Sequence, residues 1–337
     1  MRKLLLKNTL LLLFSAVAVS CASRSESYVT VDGMMLGTSY HLSAKCAAPS
    51  GELYSAMSRI DAEAKASMSI FDPWSLISRI NSNLTDSLDE HLVANIRLAD
   101  SVSRLSGGMY DITVKPLVEA WGFVRKEQQV STPNVDSLLN FVGYQKIHIE
   151  GNRLIKSDKR MQIDLNSIAK GYVVDMASRM LEERGAENYI VEIGGEIRCR
   201  GLNSRGTKWV VGIDSPFDGN MSPGESLQVC IGLSDESLAT SGNYRRYRVD
   251  SEGNKIAHTI NPVTGRSSVS RLLSATVICE ECAMADALCT MFMALGDERA
   301  IELARSLDSL AVYFILDAGG ADYEVFMTPA MESKIIK

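Results

Sequence analysis

The sequence lacks a basic run long enough to grip a phosphate backbone. Its 35 Lys and Arg are outnumbered by 41 Asp and Glu, a formal charge of −6 over 337 residues. Nucleic acid is therefore excluded as an expected partner, because that contact needs clustered cations. No sustained repeat and no low-complexity tract occurs, and no Gly/Ser/Pro-rich linker divides the chain. The length allows a substantial core in one large unit or two moderate ones. Histidine is scarce, with four in all. The C-x-x-C pattern occurs once, as Cys279-Glu-Glu-Cys282, without a second pair or a neighbouring His, which is poor zinc chemistry. Plain thiols or one local disulfide are expected there. The glycines of "VEIGGEIRCRG" do not follow G-x-G-x-x-G and open no helix, which argues against a dinucleotide-binding dehydrogenase.

What is present begins with a targeting segment. "MRKLLLK" is a short basic stretch, and "TLLLLFSAVAV" is an apolar run too short to span a bilayer comfortably. Small residues then lead to Cys21 in "AVSC", a pattern that resembles a bacterial lipoprotein signal whose cysteine is lipidated. Ala18 departs from the Leu usual three residues before that cysteine. Ordinary signal cleavage nearby is the alternative, and both readings export the protein. The expected layout is a signal segment over 1–21, a short tether over 22–29 and a folded domain over 30–330.

Within that domain, "YVTVDGMMLGTSYHLSAKC" alternates apolar and polar residues around a glycine, predicting two strands and a turn. Residues 51–66 and the stretch 87–108 are predicted helices; in the latter Leu92, Ile96, Ala99, Val102 and Leu105 recur at three- and four-residue steps. "YQKIHIEGNRLIKSDKRMQIDL" predicts strand, turn, strand, with a helix from about Ser167 closed by Gly185. A succession of short strands follows, then "LLSATVICE", a helix "ADALCTMFMALG", and two closing strands, "AVYFILD" and "YEVFMTP". Mixed hairpins and long helices without regular strand–helix alternation favour an α+β fold, one compact unit with room for two lobes.

Four stretches carry residues fit for chemistry. In "IDLNSIAKGY", Asp164 ends an apolar strand and Lys170 lies in the first turns of a helix, where free N–H groups and a cation suit an anion. A capping aspartate and a solvated lysine are equally consistent with that stretch alone. In "SGGMYDITVK", two glycines allow close backbone approach to a ligand before Met109, Tyr110 and Asp111, although a turn and cap is the plainer reading of Asp111. His258 precedes an Asn-Pro-x-Thr-Gly turn rather than sitting in a periodic run, which favours chemistry modestly. Last, Asp286 interrupts an all-apolar helix, and Thr290 lies one turn on, so their oxygens share a face. A carboxylate and a hydroxyl converging among apolar residues suit a hard cation such as Mg²⁺; a buried Asp–Thr hydrogen bond is the bland alternative.

Together, "LGTSY", "MSIFDPWSLISRIN", "SGGMYDITVKPLVEAWGF", "IDLNSIAKGY", "VEIGGEIRCRG", "ATSGNYRRY", "HTINPVTGR" and "ADALCT" resemble, in order, the FAD:protein FMN transferase family, also called the ApbE flavin transferases. The likeness covers roughly residues 30–330. It implies an Mg²⁺-dependent enzyme that takes FAD as substrate, transfers its FMN half to a Thr or Ser hydroxyl of a partner protein and releases AMP. The implied acceptors are exported flavin-carrying subunits of membrane redox complexes, of the Na⁺-pumping NADH:quinone reductase or a related type. By the same resemblance the metal ligands are Asp286, Thr290 and the Ser167 carbonyl. The FAD contacts are Leu36, Phe71, Met109, Tyr110, Asp111, Asp164, Lys170 and Ile260. The implied localisation is periplasm-facing, anchored to a bacterial membrane through lipidated Cys21. Asp286 and His258 are the expected catalytic residues, His258 assisting proton removal from the acceptor. Leu36 stands where Met is usual, Phe71 where Tyr is common, and Asn261 where Asp is usual. A pyrophosphatase giving FMN and AMP, or a flavin-holding lipoprotein without turnover, are the alternatives.

Overall fold

The structure, a computed structural model, describes residues 27–124, 133–217, 224, 226–243, 247–249, 255–268, 270–307, 309–319 and 322–336. The signal segment and Cys21 lie outside the described residues. The chain opens with the hairpin β1 (Ser27–Met35) and β2 (Thr38–Cys46), followed by helices α1 (Ser50–Met68), α2 (Leu76–Asn81), α3 (Glu90–Leu105), α4 (Lys115–Ala120) and α5 (Val135–Leu139). A small hairpin, β3 (Ile147–Glu150) and β4 (Arg153–Lys156), precedes α6 (Ala169–Glu182). Next come β5 (Tyr189–Ile193), β6 (Glu196–Arg200), β7 (Trp209–Asp214), β8 (Leu227–Leu233), β9 (Glu236–Gly242), β10 (Tyr247–Val249) and β11 (Lys255–Ala257). The C-terminal part is β12 (Leu272–Cys279), α7 (Cys282–Leu295), α8 (Asp297–Ser306), β13 (Ala311–Asp317), β14 (Tyr323–Met327) and α9 (Pro329–Glu332).

Eight strands form one sheet in the order β1-β2-β5-β6-β9-β12-β13-β14, every neighbouring pair antiparallel. This is the α+β class that the mixture of hairpins and helices predicts. Period-two alternation sends Val191, Ile193, Val277, Val312 and Phe314 to one face and Ile190, Ile278, Tyr313 and Ile315 to the other. The first face meets α1, α3, α6 and α7 in the main core. The second is closed by the β7–β8 hairpin and α9, through Trp209, Ile213, Ile231, Leu233 and Met331. α7 is apolar all round because it lies beneath its neighbours, against β9, β12 and α6. A third, smaller cluster joins Leu117, Trp121, Val135 and Val142 to Ile260.

One expected element is absent. Residues 161–165 alternate as a strand should, with Met161, Ile163 and Leu165 buried, yet they make only an isolated bridge between Gln162 and Val114. The reason is a side-chain substitute for the missing partner. Asn81 donates its amide N–H to the Ile163 carbonyl (2.8 Å) and accepts the Ile163 N–H (2.7 Å), while Asp164 donates its N–H to the Ile112 carbonyl (2.8 Å). Backbone groups buried away from water need partners, and a buried amide serves as well as a strand. Likewise the helix expected from Ser167 begins at Ala169, with no side-chain cap from its preceding residue.

Candidate active site

α6 and α7 meet at their opening turns, and each caps the other. The Asp286 carboxylate of α7 accepts the Gly171 N–H in the first turn of α6, at 3.0 Å. In return Asp175 of α6 accepts the N–H groups of Cys282 (3.0 Å) and Ala283 (2.9 Å), which open α7. Helix N-termini leave unsatisfied N–H groups, and carboxylates are their strongest partners. Gly171 makes the close approach possible, since a Cβ there would overlap the Cys282 carbonyl. Asp175 is held in turn by Arg198 of β6, at 2.5 Å.

Beside this crossing lies an excess of negative charge. Lys170 pairs with Glu196, the first residue of β6, whose side chain is only 3 % exposed. Burial pushes the Glu196 carboxyl up to about 7; the Lys170 ammonium opposes this and the Asp286 charge reinforces it. Burial likewise raises Asp286, opposed by Lys170 and the Gly171 N–H. Burial works against the Lys170 ammonium, but Glu196 and Asp286 together outweigh it and hold its pKa above the ordinary value. Two buried carboxylates thus share one partly exposed ammonium, a setting that favours a proton or a further cation. Among the described residues, Asp286 takes no hydrogen bond besides that from Gly171, so one of its oxygens is left over. Thr290 does not bond Asp286; its hydroxyl meets Ser241 of β9 at 3.3 Å. The bland Asp–Thr pairing is thereby replaced. No three His, Cys, Asp or Glu side chains converge as a metal cage among the described residues. One spare carboxylate oxygen with neutral oxygens around it fits a hard cation that completes its shell with water and phosphate, as Mg²⁺ does.

The other expected residues gather around this crossing or lie apart from it. Tyr110, buried, hydrogen-bonds the Ser167 hydroxyl at 2.9 Å, and its phenol is raised chiefly by burial, with Asp286 adding to the shift. That places "GMYD" against the start of α6. Asp111 is spent locally: it accepts the Thr113 N–H (2.8 Å) and hydroxyl (2.7 Å) and the Tyr144 N–H (2.7 Å). Burial raises its carboxyl against those bonds. Asp164 accepts the Asn166 N–H at 2.8 Å in a turn, rather than capping α6. Met109 is buried. Thr259 bonds Asn243 (3.0 Å), two residues beyond Ser241, which brings the His258 segment to the end of β9. The His258 ring meets Phe123 edge-on, with centroids 6.4 Å apart. Asn261 folds the following turn by accepting the Val263 and Thr264 N–H groups, a task Asp performs equally. Ile260 packs in the third cluster, and the Trp121 indole donates to the Gly265 carbonyl at 2.8 Å.

Leu36 lies at the β1–β2 turn, beside the β5–β6 turn that leads into Glu196; Gly194 donates its N–H to the Ser39 carbonyl (3.1 Å). Leu36 has φ +50° and Gly37 φ +78°. For a leucine that conformation costs about 1–2 kcal/mol. Phe71 stands 64 % exposed on the loop after α1, with Trp74 beyond it at 84 %. Sequence reasoning missed Glu196, Gly171, Asp175 and Ser241. Alternation in β6 marks Glu196 as inward-facing, and a glycine inside a helical pattern marks Gly171; nothing local marks the other two. Cys279 and Cys282 are free thiols, as are the other described cysteines, and burial pushes Cys279 up to about 12.

Comparison with known proteins agrees with this architecture. Residues 36–314 match the ApbE family. The FAD:protein FMN transferase of Vibrio cholerae is 33 % identical over 311 residues, covering 89 % of this chain and 91 % of the relative. That of Haemophilus influenzae is 32 % identical over 317 residues, covering 89 % and 90 %. Among solved structures, the flavin transferase ApbE from Vibrio cholerae superposes with a TM-score of 0.81 at 31 % identity, covering 92 % of this chain and 99 % of that one. The Pseudomonas stutzeri flavinyl transferase ApbE, apo form, gives 0.81 at 27 %, covering 92 % and 97 %. The chain belongs to the ApbE family, whose relatives named above are flavin transferases.

Proposed function

We propose that this chain transfers FMN from FAD to a Thr or Ser hydroxyl of an exported flavin-carrying subunit of a membrane redox complex, releasing AMP, with Mg²⁺ bound at Asp286. The observation that carries the reading is the pair of buried carboxylates, Asp286 and Glu196, sharing Lys170 where α6 meets α7, one helical turn from the Thr290 hydroxyl and beside a helix N-terminus. Asp286, Thr290 and the Ser167 carbonyl would hold the ion. Mg²⁺, when bound, neutralises the pyrophosphate and makes the phosphorus more electrophilic. Lys170 and the N–H groups opening α6 bind the phosphate oxygens and hold the reacting phosphorus in place. Glu196 keeps Lys170 folded toward the sheet. Met109, Tyr110, Leu36, Phe71 and Ile260 supply apolar surface for FAD, while Asp111 and Asp164 fix the turns that present it. His258 takes the proton of the acceptor hydroxyl as its oxygen bonds to the FMN phosphorus and the bond to the AMP phosphate breaks. The protein works on the exported side of the membrane, tethered through lipidated Cys21.

The test is to incubate the protein with FAD and Mg²⁺, with and without an exported redox-complex subunit, and to follow AMP and protein-bound flavin by mass spectrometry. An FMN-sized mass on the acceptor, matched by AMP and abolished by EDTA, is expected. AMP and free FMN regardless of acceptor would make it a pyrophosphatase. Bound FAD without AMP would leave a flavin-holding protein.

A further inference from the structure

We infer that Asp61 is a positioning residue for FAD: it holds the Leu36–Gly37 turn in the left-handed conformation that presents Leu36 to the flavin substrate. The inference rests on the flavin reading above. β1 and β2 are joined by a two-residue turn, Met35 pairing with Thr38 across it, and both central residues have positive φ. Such turns match the twist of a hairpin, but their first position favours Asn, Asp or Gly, which tolerate that conformation. A leucine there is strained, and strain persists only where the surroundings over-determine it.

The determining contact comes from outside the hairpin. The Leu36 N–H, which the ladder does not use, is donated to Asp61 Oδ1 of α1 at 2.9 Å. Asp61 Oδ2 accepts from Lys65 Nζ, one helical turn on, at 2.7 Å, so both carboxylate oxygens are committed and the rotamer is fixed. The Asp61 side chain is mostly shielded from solvent, which strengthens the tie. Met35 before the turn and Tyr40 after it are buried, so the hairpin stems are anchored and only the turn is left to be set. Leu36 itself rests at the edge of the main core. Without Asp61 the turn relaxes toward conformations a leucine prefers. The fraction of protein ready for FAD then falls, and apparent affinity falls by the same fraction. The reacting atoms are untouched, and so is turnover at saturation.

The experiment uses the full chain in detergent, measuring FAD binding by flavin fluorescence and KM and kcat by AMP release. Asp61→Ala is expected to weaken FAD binding and raise its KM about tenfold, with kcat within about twofold. Asp61→Asn keeps an acceptor oxygen and should stay within about twofold of the parent. In a Leu36→Gly background, where glycine adopts the turn unaided, adding Asp61→Ala should cost less than about twofold. A general loss of folded protein would lower kcat instead. Unchanged FAD binding in Asp61→Ala, equal losses in the Ala and Asn variants, or a full tenfold penalty in the glycine background would each overturn the inference. A parent protein that binds no FAD would overturn the flavin reading first, and the inference with it.

Discussion

The two faces of the eight-stranded sheet are built from different materials. One face meets α6 and α7 across a crossing that buries the carboxylates of Asp175, Glu196 and Asp286, with Arg198 and Lys170 partly exposed beside them. The other meets the β7–β8 hairpin and α9 through Trp209, Ile213, Ile231, Leu233 and Met331, an apolar cluster with no buried ion pair among its members. Burying apolar area stabilises a fold without specifying any ligand, at about 25 cal/mol per Å². Burying charge costs stability unless each charge is answered. On the helical face Asp175 and Arg198 answer each other, whereas Lys170 cannot answer both Glu196 and Asp286. Under the proposed function, that unanswered charge is where the protein gives up stability for a ligand.

That contrast can be broken in a graded way. Asp286→Asn keeps an acceptor for the Gly171 N–H while removing the excess charge. It should cut flavin transfer at least about 1,000-fold. The thermal midpoint in metal-free buffer should nonetheless hold level or rise, a trade of function for stability read by calorimetry. Asp175→Ala, by contrast, strands Arg198 and two helix-opening N–H groups. A loss of about 3–5 kcal/mol in urea unfolding is expected. On the apolar face, Leu233→Ala should cost about 2–5 kcal/mol by the same measurement, yet leave the FAD KM of the folded protein unchanged. His258→Ala should keep FAD bound and lower kcat about 100-fold, read by AMP release against flavin fluorescence. If Leu233→Ala shifted KM, or Asp175→Ala spared stability, the division between the faces would fail.

Much of the fold was legible because periodicity reports burial. The alternation of β1 and β2 and the three- and four-residue steps of α3 give their elements directly. The stretch 161–165 shows the limit: alternation reveals which residues face inward, not whether a strand or the Asn81 amide satisfies the backbone between them. The site was legible in its oddities. A lone carboxylate in an apolar helix had to be compensated, which singled out Asp286. Its compensation was hidden, because Gly171 lies 115 residues away and the contact needs no distinctive local pattern. The reciprocal Asp175 cap was hidden for the same reason, since each helix looks uncapped when read alone.

The charge left over at the α6–α7 crossing is proposed to hold a divalent cation. Titration of Mn²⁺ into the FAD-bound protein, followed by electron paramagnetic resonance, tests it most directly. One bound ion per chain, displaced by Mg²⁺ and absent in Asp286→Ala, is the predicted result. An Asp286→Ala protein that binds FAD and takes up Mn²⁺ with the stoichiometry and affinity of the parent would contradict it.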